Sequence, residues 1–275
     1  MKLGVLIPVR PETDLEAQFK KAREMELDSC QISIWDMSLY TEENAAKINA
    51  LCRETGLEVS VLWAGWSGPK EWNFTYGPET LGLVPAAYRG TRLADLEKGS
   101  EFAAKIGVKY VATHVGFLPE NMNDPDYVGT IGALRSLCKL MKTRDQVFLF
   151  ETGQETPVTM LRAIEDIGAD NVGINFDTAN VILYGKANPV DSVRIFGKYV
   201  RQTHIKDCCF PTDGRHLGKE MPVGEGLVDF KTVMKELKDL GYEGHYTIER
   251  EISGDEQIRD ILRARDMLRA IDKEI

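Results

Sequence analysis

The strongest constraint on the fold of this chain is a glycine that recurs where a predicted helix ends and an apolar strand begins. It occurs four times, at Gly56, Gly107, Gly168 and Gly241. A glycine at this position adopts the left-handed conformation that ends a helix before the chain reverses direction. Helices that return to apolar strands in this way are typical of a parallel sheet with crossover helices.

Eight strand–helix pairs follow one another along the chain. The predicted strands cover residues 3–9, 30–35, 57–63, 108–115, 146–150, 172–177, 200–204 and 245–249. Capping boxes are predicted for the first and last helices by Thr13-x-x-Glu16 and Ser253-x-x-Glu256. Eight units in 275 residues predict a (β/α)8 TIM barrel that forms a single domain over residues 1–275. An open doubly wound sheet is the alternative. The G-x-G-x-x-G turn that often follows the first strand of such a sheet is absent from this sequence.

Four side chains able to bind a metal stand at the ends of predicted strands five to eight. They are Glu151, Asp177, His204 and Glu249. The carboxyl ends of barrel strands meet at one face, so we expect these side chains to form one site. Three carboxylates and one imidazole suit a divalent cation such as Mn²⁺, Mg²⁺ or Co²⁺, and Zn²⁺ is also compatible.

Each of these residues also has a purely structural interpretation. Asp177 could cap the following helix. His204 could be a hydrogen-bonded core histidine, and Glu249 could form an ion pair with Arg250 or Lys206. The coincidence of all four at the ends of consecutive strands favours the metal site.

The composition argues against two classes of partner. The chain has 34 Lys and Arg against 43 Asp and Glu, a formal net charge of −9, whereas nucleic-acid-binding proteins usually present a basic face. No apolar run approaches the roughly 20 residues of a membrane span. The five cysteines contain no C-x-x-C pair, which favours reduced thiols and a cytoplasmic protein. We therefore expect neither a nucleic acid nor a membrane as partner.

Two connections are longer than a barrel requires, and both follow the carboxyl ends of strands. Residues 64–87 are rich in aromatic side chains, and Trp66 and Trp72 there could cover a bound substrate or form a subunit contact. A homo-oligomer is therefore an open alternative. Residues 206–227 contain Arg215 and the turn Gly224-Glu225-Gly226, at a place where barrels often bind phosphate. The carboxylate of Glu225 argues against an anion there.

Several short motifs together resemble a known family. They are HVGF at 114–117, FETGQET at 150–156, NFDTAN at 175–180, THIKD at 203–207, VGEG at 223–226 and TIE at 247–249. This series resembles the sugar phosphate isomerase/epimerase group of xylose-isomerase-like TIM barrels, to which the ketose 3-epimerases are related. The resemblance implies that Glu151, Asp177, His204 and Glu249 bind one divalent metal, with Mn²⁺ the first expectation. It also implies that Glu151 and Glu249 act as acid and base on opposite faces of a bound sugar.

The chain departs from ketose 3-epimerases at two points. These enzymes usually carry a His three residues after the Asp ligand, where this chain has Asn180. They also place an Arg soon after the His ligand, a role left here to Lys206 or Arg215. The residues expected to contact substrate are His114, Lys206, Asn180, Trp35, Trp66 and Arg215.

The leading hypothesis is a metal-dependent sugar or sugar phosphate isomerase or epimerase that removes a proton beside a carbonyl and forms an enediolate. A keto-sugar or cyclitol dehydratase or lyase would use the same first step. An abasic-site DNA endonuclease is an alternative of another class, but its multi-zinc cluster requires more histidines than the four present here. A sugar-binding protein without catalysis is a third alternative.

Overall fold

The computed structural model describes the chain from Met1 to Ile275. Its strands are β1 (Lys2–Val9), β2 (Ser29–Ile34), β3 (Glu58–Ala64), β4 (Tyr110–Thr113), β5 (Val147–Glu151), β6 (Val172–Asp177), β7 (Val200–Ile205), β8 (Asp207–Cys208), β9 (Glu220–Met221) and β10 (His245–Ile248). Its α-helices are α1 (Leu15–Glu24), α2 (Glu42–Thr55), α3 (Gly77–Thr80), α4 (Ala86–Lys105), α5 (Pro125–Lys142), α6 (Pro157–Ile167), α7 (Asn180–Leu183), α8 (Pro189–Phe196), α9 (Phe230–Asp239) and α10 (Asp255–Glu274).

Eight of the strands close into a parallel barrel in the order β1-β10-β7-β6-β5-β4-β3-β2. This confirms the (β/α)8 TIM barrel and rules out the open sheet. The pairing register brings the predicted ligands to one level, because Asp177 pairs with His204 and His204 pairs with Thr247, two residues before Glu249. On the other side, Glu151 pairs with Asn175.

The helix-ending glycines are confirmed. Gly56, Gly107, Gly168 and Gly241 all have positive φ, between 65° and 77°. None of the helices combines the length and the apolar character needed to cross a membrane.

The two capping boxes are wrong. The side chain of Asp14, not Thr13, caps α1 by accepting a hydrogen bond from the Ala17 amide, while Thr13 Oγ1 accepts from the Arg10 amide. Helix α10 begins after Gly254 without a side-chain cap. In each case the chain enters the helix one residue later than the Thr or Ser that the signature selects.

The mouth of the barrel is covered unevenly. Residues 65–85 run over the mouth between β3 and α4, and residues 206–229, which begin at the opposite strand β7, contain the antiparallel pair β8–β9. The sequence predicted the second segment as a loop, without this hairpin. By contrast, only residues 10–14 separate β1 from α1 and only residues 249–254 separate β10 from α10. The mouth therefore stays open beside β1 and β10.

Candidate functional site

The four predicted ligands meet at the carboxyl end of the barrel. One side-chain donor atom from each of Glu151, Asp177, His204 and Glu249 lies within 4.8 Å of the others, and all four residues are buried. His204 Nδ1 is 2.9 Å from Glu151 Oε1 and 3.1 Å from Glu249 Oε2. A ring nitrogen carries at most one hydrogen, so it cannot satisfy both carboxylates.

The hydrogen-bond network behind the cluster fixes the tautomer of His204. Glu151 Oε2 accepts from Asn175 Nδ2 at 2.8 Å, so Asn175 Oδ1 is left to accept from Gln31 Nε2 at 3.0 Å. Gln31 Oε1 is then the acceptor for His204 Nε2 at 2.8 Å. The Nε2 atom therefore carries a hydrogen, and in the neutral ring the Nδ1 lone pair points into the cluster.

Two carboxylate oxygens in the cluster have no hydrogen-bond donor. Asp177 Oδ1 accepts from the amides of Ala179 and Asn180, but Asp177 Oδ2 is unpartnered. The N-cap of α7 is Ala179, so Asp177 is not the helix cap that was considered for it. Glu249 Oε2 is also buried without a hydrogen-bond partner. Buried carboxylate oxygens are costly unless a donor or a cation satisfies them. Together with His204 Nδ1, which offers a lone pair once the ring is neutral, these two atoms form a donor set that fits a divalent cation.

The pKa values of the cluster are shifted because several charged side chains are buried close together. Burial raises the pKa of Asp177 well above its ordinary value. Burial opposes the charged imidazole, but Glu151 and Glu249 outweigh it and raise the pKa of His204 well above its ordinary value. Burial would likewise raise the pKa of Glu249, yet Lys206 and His204 lower it. The cluster thus holds more negative charge than one imidazolium neutralises.

Lys206 supplies a buried cation beside the cluster. Its side chain is 3% exposed, and Nζ lies 2.8 Å from Glu251 Oε1 and 3.7 Å from Glu249 Oε2. Burial would lower the pKa of Lys206, but Glu249 and Glu251 outweigh burial and raise it well above its ordinary value. The ion-pair interpretation of Glu249 thus holds for Lys206. Arg250 instead pairs with Asp260 and Glu220.

A cavity of about 310 Å³ opens onto this cluster. Of the predicted substrate contacts, Trp35, His114, Asn180 and Lys206 line it. Further lining residues include Ser33, Trp63, Trp72, Tyr184, Leu217 and Glu251. The volume falls at the lower end of the range for small-molecule sites, roughly 300–1,000 Å³.

Two predicted substrate contacts lie elsewhere. Trp66 is fully buried and absent from the cavity lining, because the guanidinium of Arg92 stacks on its ring at 4.0 Å and Trp35 packs against it. Arg92 also donates to the carbonyls of Ser67, Pro69 and Gly82, which anchors the aromatic loop. Arg215 is exposed and does not line the cavity either. Trp72, in the same loop, lines the cavity and is therefore placed to cover a bound ligand, as considered for this loop.

The turn Gly224-Glu225-Gly226 holds an anion from the chain itself. Asp207 Oδ2 accepts from the amides of Gly224 and Gly226, at 2.9 and 2.8 Å. Asp207 Oδ1 accepts from the amides of Cys208 and Val228. These amides are the groups that would bind a phosphate, so the carboxylate occupies the place where a barrel often holds one.

The sequence reasoning missed Gln31 and Asn175. Both are buried polar residues inside strands that read as apolar runs. Each residue places an amide side chain inside the barrel, where an unpaired polar group would be costly. This could have indicated that both amides take part in a hydrogen-bond network.

We expect Gln31→Met to weaken metal binding by about 10–100-fold, because the imidazole loses the acceptor that fixes its tautomer. Isothermal titration with Mn²⁺ on the metal-stripped protein measures the affinity. Gln18→Met, on the exposed face of α1, is the matched control. Unchanged affinity in Gln31→Met would remove Gln31 from the support of the site.

Glu155 is a second buried carboxyl, in the loop after β5. Its Oε1 is unpartnered, and burial raises its pKa from 4.5 to about 8. The folded protein therefore keeps a proton that the unfolded chain releases, so this residue's contribution to stability is present below pH 4.5 and is lost as pH rises to about 8.

We expect the stability of Glu155→Gln relative to wild type to increase by up to about 1.4 kcal/mol per pH unit across that window. Urea unfolding of metal-saturated protein at several pH values measures the free energy of unfolding. Glu165→Gln, exposed on α6, should show no such trend. A flat difference for Glu155→Gln would mean that the carboxyl titrates normally in the folded protein.

Comparison with known proteins shows similarity to xylose isomerase-like TIM barrels. A family model described as xylose isomerase-like TIM barrel matches residues 19–271. A xylose isomerase domain protein from Planctomyces limnophilus is 33% identical, with TM-score 0.92 over 99% of this chain and 98% of that chain. A D-tagatose 3-epimerase-like protein is 20% identical, with TM-score 0.76 over 99% and 97%. A xylose isomerase-like barrel from Mycobacterium smegmatis, solved in complex with magnesium, is 18% identical, with TM-score 0.69 over 93% and 87%.

The curated relatives align over less of their length. An uncharacterized protein of Methanocaldococcus jannaschii is 25% identical over 183 residues, which is 62% of this chain and 58% of that protein. The inosose dehydratase of Geobacillus thermodenitrificans is 25% identical over 115 residues, 36% of this chain and 37% of that protein. The family match and the Planctomyces structure both extend over most of the chain. The chain belongs to the xylose isomerase-like TIM barrel family.

Proposed function

We propose that this protein is a divalent-metal-dependent sugar isomerase or epimerase that removes a proton from a carbon beside a carbonyl. The observation that carries the proposal is the pair of glutamates, Glu151 and Glu249, which reach one cavity from strands three positions apart around the barrel. Their carboxylates flank the same nitrogen, His204 Nδ1. With two carboxylates in one small cavity, one can remove a proton from one face of a substrate and the other can deliver a proton to the opposite face.

The residues that would hold the cation are Glu151, Asp177, His204 and Glu249. Mn²⁺ is the ion we expect, and Mg²⁺, Co²⁺ and Zn²⁺ also suit the donor set. When bound, a divalent ion acts as a Lewis acid that polarises a carbonyl oxygen and stabilises negative charge on it. Asp177 and His204 take no part in proton transfer in this proposal, so they serve as ligands alone.

The surroundings of the glutamates suit them to act as bases. His204 outweighs burial and lowers the pKa of Glu151, so this carboxylate is ionised at neutral pH. Trp63 Nε1 and Asn175 Nδ2 hold Glu151 Oε2 at 2.7 and 2.8 Å, which fixes the orientation of Oε1. One glutamate removes the proton, the electron pair moves toward the carbonyl oxygen, and an enediolate forms. The other glutamate then takes a proton from solvent and passes it to the carbon on the opposite face, which completes an epimerisation once the first glutamate has released its proton to solvent.

Lys206 favours a second candidate, a keto-sugar or cyclitol dehydratase. Its ammonium lines the cavity beside Glu249 and can protonate a leaving hydroxyl group. Proton removal beside the carbonyl would then be followed by loss of water instead of return of the proton. The partial similarity to inosose dehydratases points in the same direction.

The test is a panel of ketoses and keto-cyclitols incubated in D₂O with metal-loaded protein and followed by NMR and mass spectrometry. An isomerase or epimerase incorporates deuterium beside the carbonyl and gives an isomeric sugar. A dehydratase gives a product lighter by one water. Absence of both exchange and water loss across the panel would reject the proposed chemistry and favour a binding protein.

A further inference from the structure

We infer that the substrate carries a second, neutral sugar unit, which lies in a groove beside the cavity that holds the reacting ring. The inference rests on the proposed function, because it takes the reacting carbonyl to lie next to Glu151 and Glu249. It names a substrate class, a keto-disaccharide or related glycoside, in place of a free monosaccharide.

The groove is continuous with the active-site cavity. Its volume is about 720 Å³, and its lining shares five residues with that cavity: Leu6, Ser33, Trp35, Glu249 and Glu251. From this junction it extends over the ends of β1 and β10 to Pro8, Arg10, Asp36, Ile252, Ser253 and Gln257. Space of this size next to a cavity of 310 Å³ exceeds what a single sugar ring can fill.

The groove follows from the uneven covering of the barrel mouth. The long segments 65–85 and 206–229 follow β3 and β7, which lie opposite each other in the barrel, whereas β1 and β10 are followed by short connections. The groove therefore lies over the ends of β1 and β10, where no long connection begins.

Trp35 gives the junction a rigid aromatic wall. Its ring packs against Trp63, Trp66 and Trp72, with centroids 5.0, 5.2 and 6.3 Å away. Gly65 lies directly against it, since a Cβ there would come within 2.6 Å of the ring. A fixed indole that borders both spaces can contact the apolar face of a sugar unit on either side.

The charges of the groove favour a neutral unit over a phosphate. Arg250 is neutralised by Asp260 at 2.8 Å and by Glu220 at 3.2 Å. The exposed Arg10 shares the lining with the carboxylates of Asp36 and Glu251. A phosphate would need unpaired cations, whereas hydroxyl groups can donate to these carboxylates and accept from polar side chains.

The test compares D-fructose, its glucosides maltulose and isomaltulose, and fructose 6-phosphate as substrates of the Mg²⁺-loaded protein. Deuterium incorporation in D₂O gives kcat/KM for each. We expect kcat/KM for at least one disaccharide to exceed that for fructose about tenfold or more, because binding of a remote unit contributes to catalysis. Ser253→Trp should lower this disaccharide-to-fructose ratio about tenfold, since an indole would fill the groove. Ser136→Trp, exposed on α5, is the matched control.

The outcomes separate this inference from the proposed function. Turnover of fructose without preference for either disaccharide, or a preference that Ser253→Trp leaves unchanged, overturns the inference and keeps the function. Preference for fructose 6-phosphate also overturns it, because the groove would then bind an anion. Exchange with a member of the ketose and keto-cyclitol panel but with neither disaccharide overturns the inference and keeps the function. Exchange with none of these sugars and with no member of that panel rejects both. Gln257→Trp obstructs the same groove and replaces Ser253→Trp should that variant not fold.

Discussion

Replacement of either proposed base by its amide should reduce sugar turnover by about 10²–10⁴-fold. Glu151→Gln and Glu249→Gln keep the shape of the side chain but cannot accept a proton. Both residues are also proposed ligands, so rates must be compared at saturating metal. If the two glutamates serve opposite faces of the substrate, the variants differ: one still exchanges the substrate hydrogen in D₂O from one epimer, yet neither completes the inversion.

The control for this experiment is Glu243→Gln, which lies just before β10 at the opposite end of the barrel. It should turn over sugar at the wild-type rate. Full activity of both active-site variants with metal bound would show that these carboxylates only bind the ion or stabilise the fold. Loss of metal from a variant, measured by elemental analysis, would identify a ligand effect instead of a catalytic one.

Asp177→Asn should have opposite effects on stability in the metal-free and metal-loaded protein. The amide oxygen can still accept from the Ala179 and Asn180 amides, while the unpartnered charge at Oδ2 disappears. In excess chelator we expect the variant to be more stable than wild type by about 1–2 kcal/mol. This advantage should grow as pH rises, because burial raises the pKa of Asp177 and ionisation of the folded protein becomes costly.

Added Mn²⁺ should reverse the order. Wild type gains about 2.7 kcal/mol at a metal concentration of 100 times Kd, and the variant gains less because it binds the ion more weakly. Thermal unfolding with and without metal measures both effects, and Asp170→Asn, at an exposed ion pair with Lys142, is the control. A variant that is less stable than wild type in chelator would show that Asp177 is needed for folding itself, and equal gains would remove it from the ligand set.

The parts of the molecule that local chemistry determines could be predicted from the sequence. Gly56 and Gly168 end helices because the left-handed conformation is open to glycine, and that property needs no tertiary information. Glu151 and Glu249 could be assigned to one site because parallel strands place their carboxyl ends at one face. In these cases residue type and position in the chain were sufficient.

The roles of other residues depend on partners that are distant in sequence. Trp66 and Trp72 lie in the same aromatic loop, but Arg92 in α4 stacks on Trp66 and removes it from the cavity. Gln31 supports His204 across 173 positions of sequence. No local pattern contains such pairings, so these roles required the three-dimensional structure.

The carboxylate of Asp207 has a consequence for how this barrel treats phosphorylated compounds. This carboxylate competes with phosphate for the amides of Gly224 and Gly226. Because it is part of the chain, its effective concentration at these amides is on the order of millimolar or more. Its four amide hydrogen bonds leave an incoming phosphate no vacant donors at this turn. A free phosphate group must therefore displace a ligand that cannot diffuse away. Phosphate binding at this turn is therefore weaker than it would be if the four amides were free.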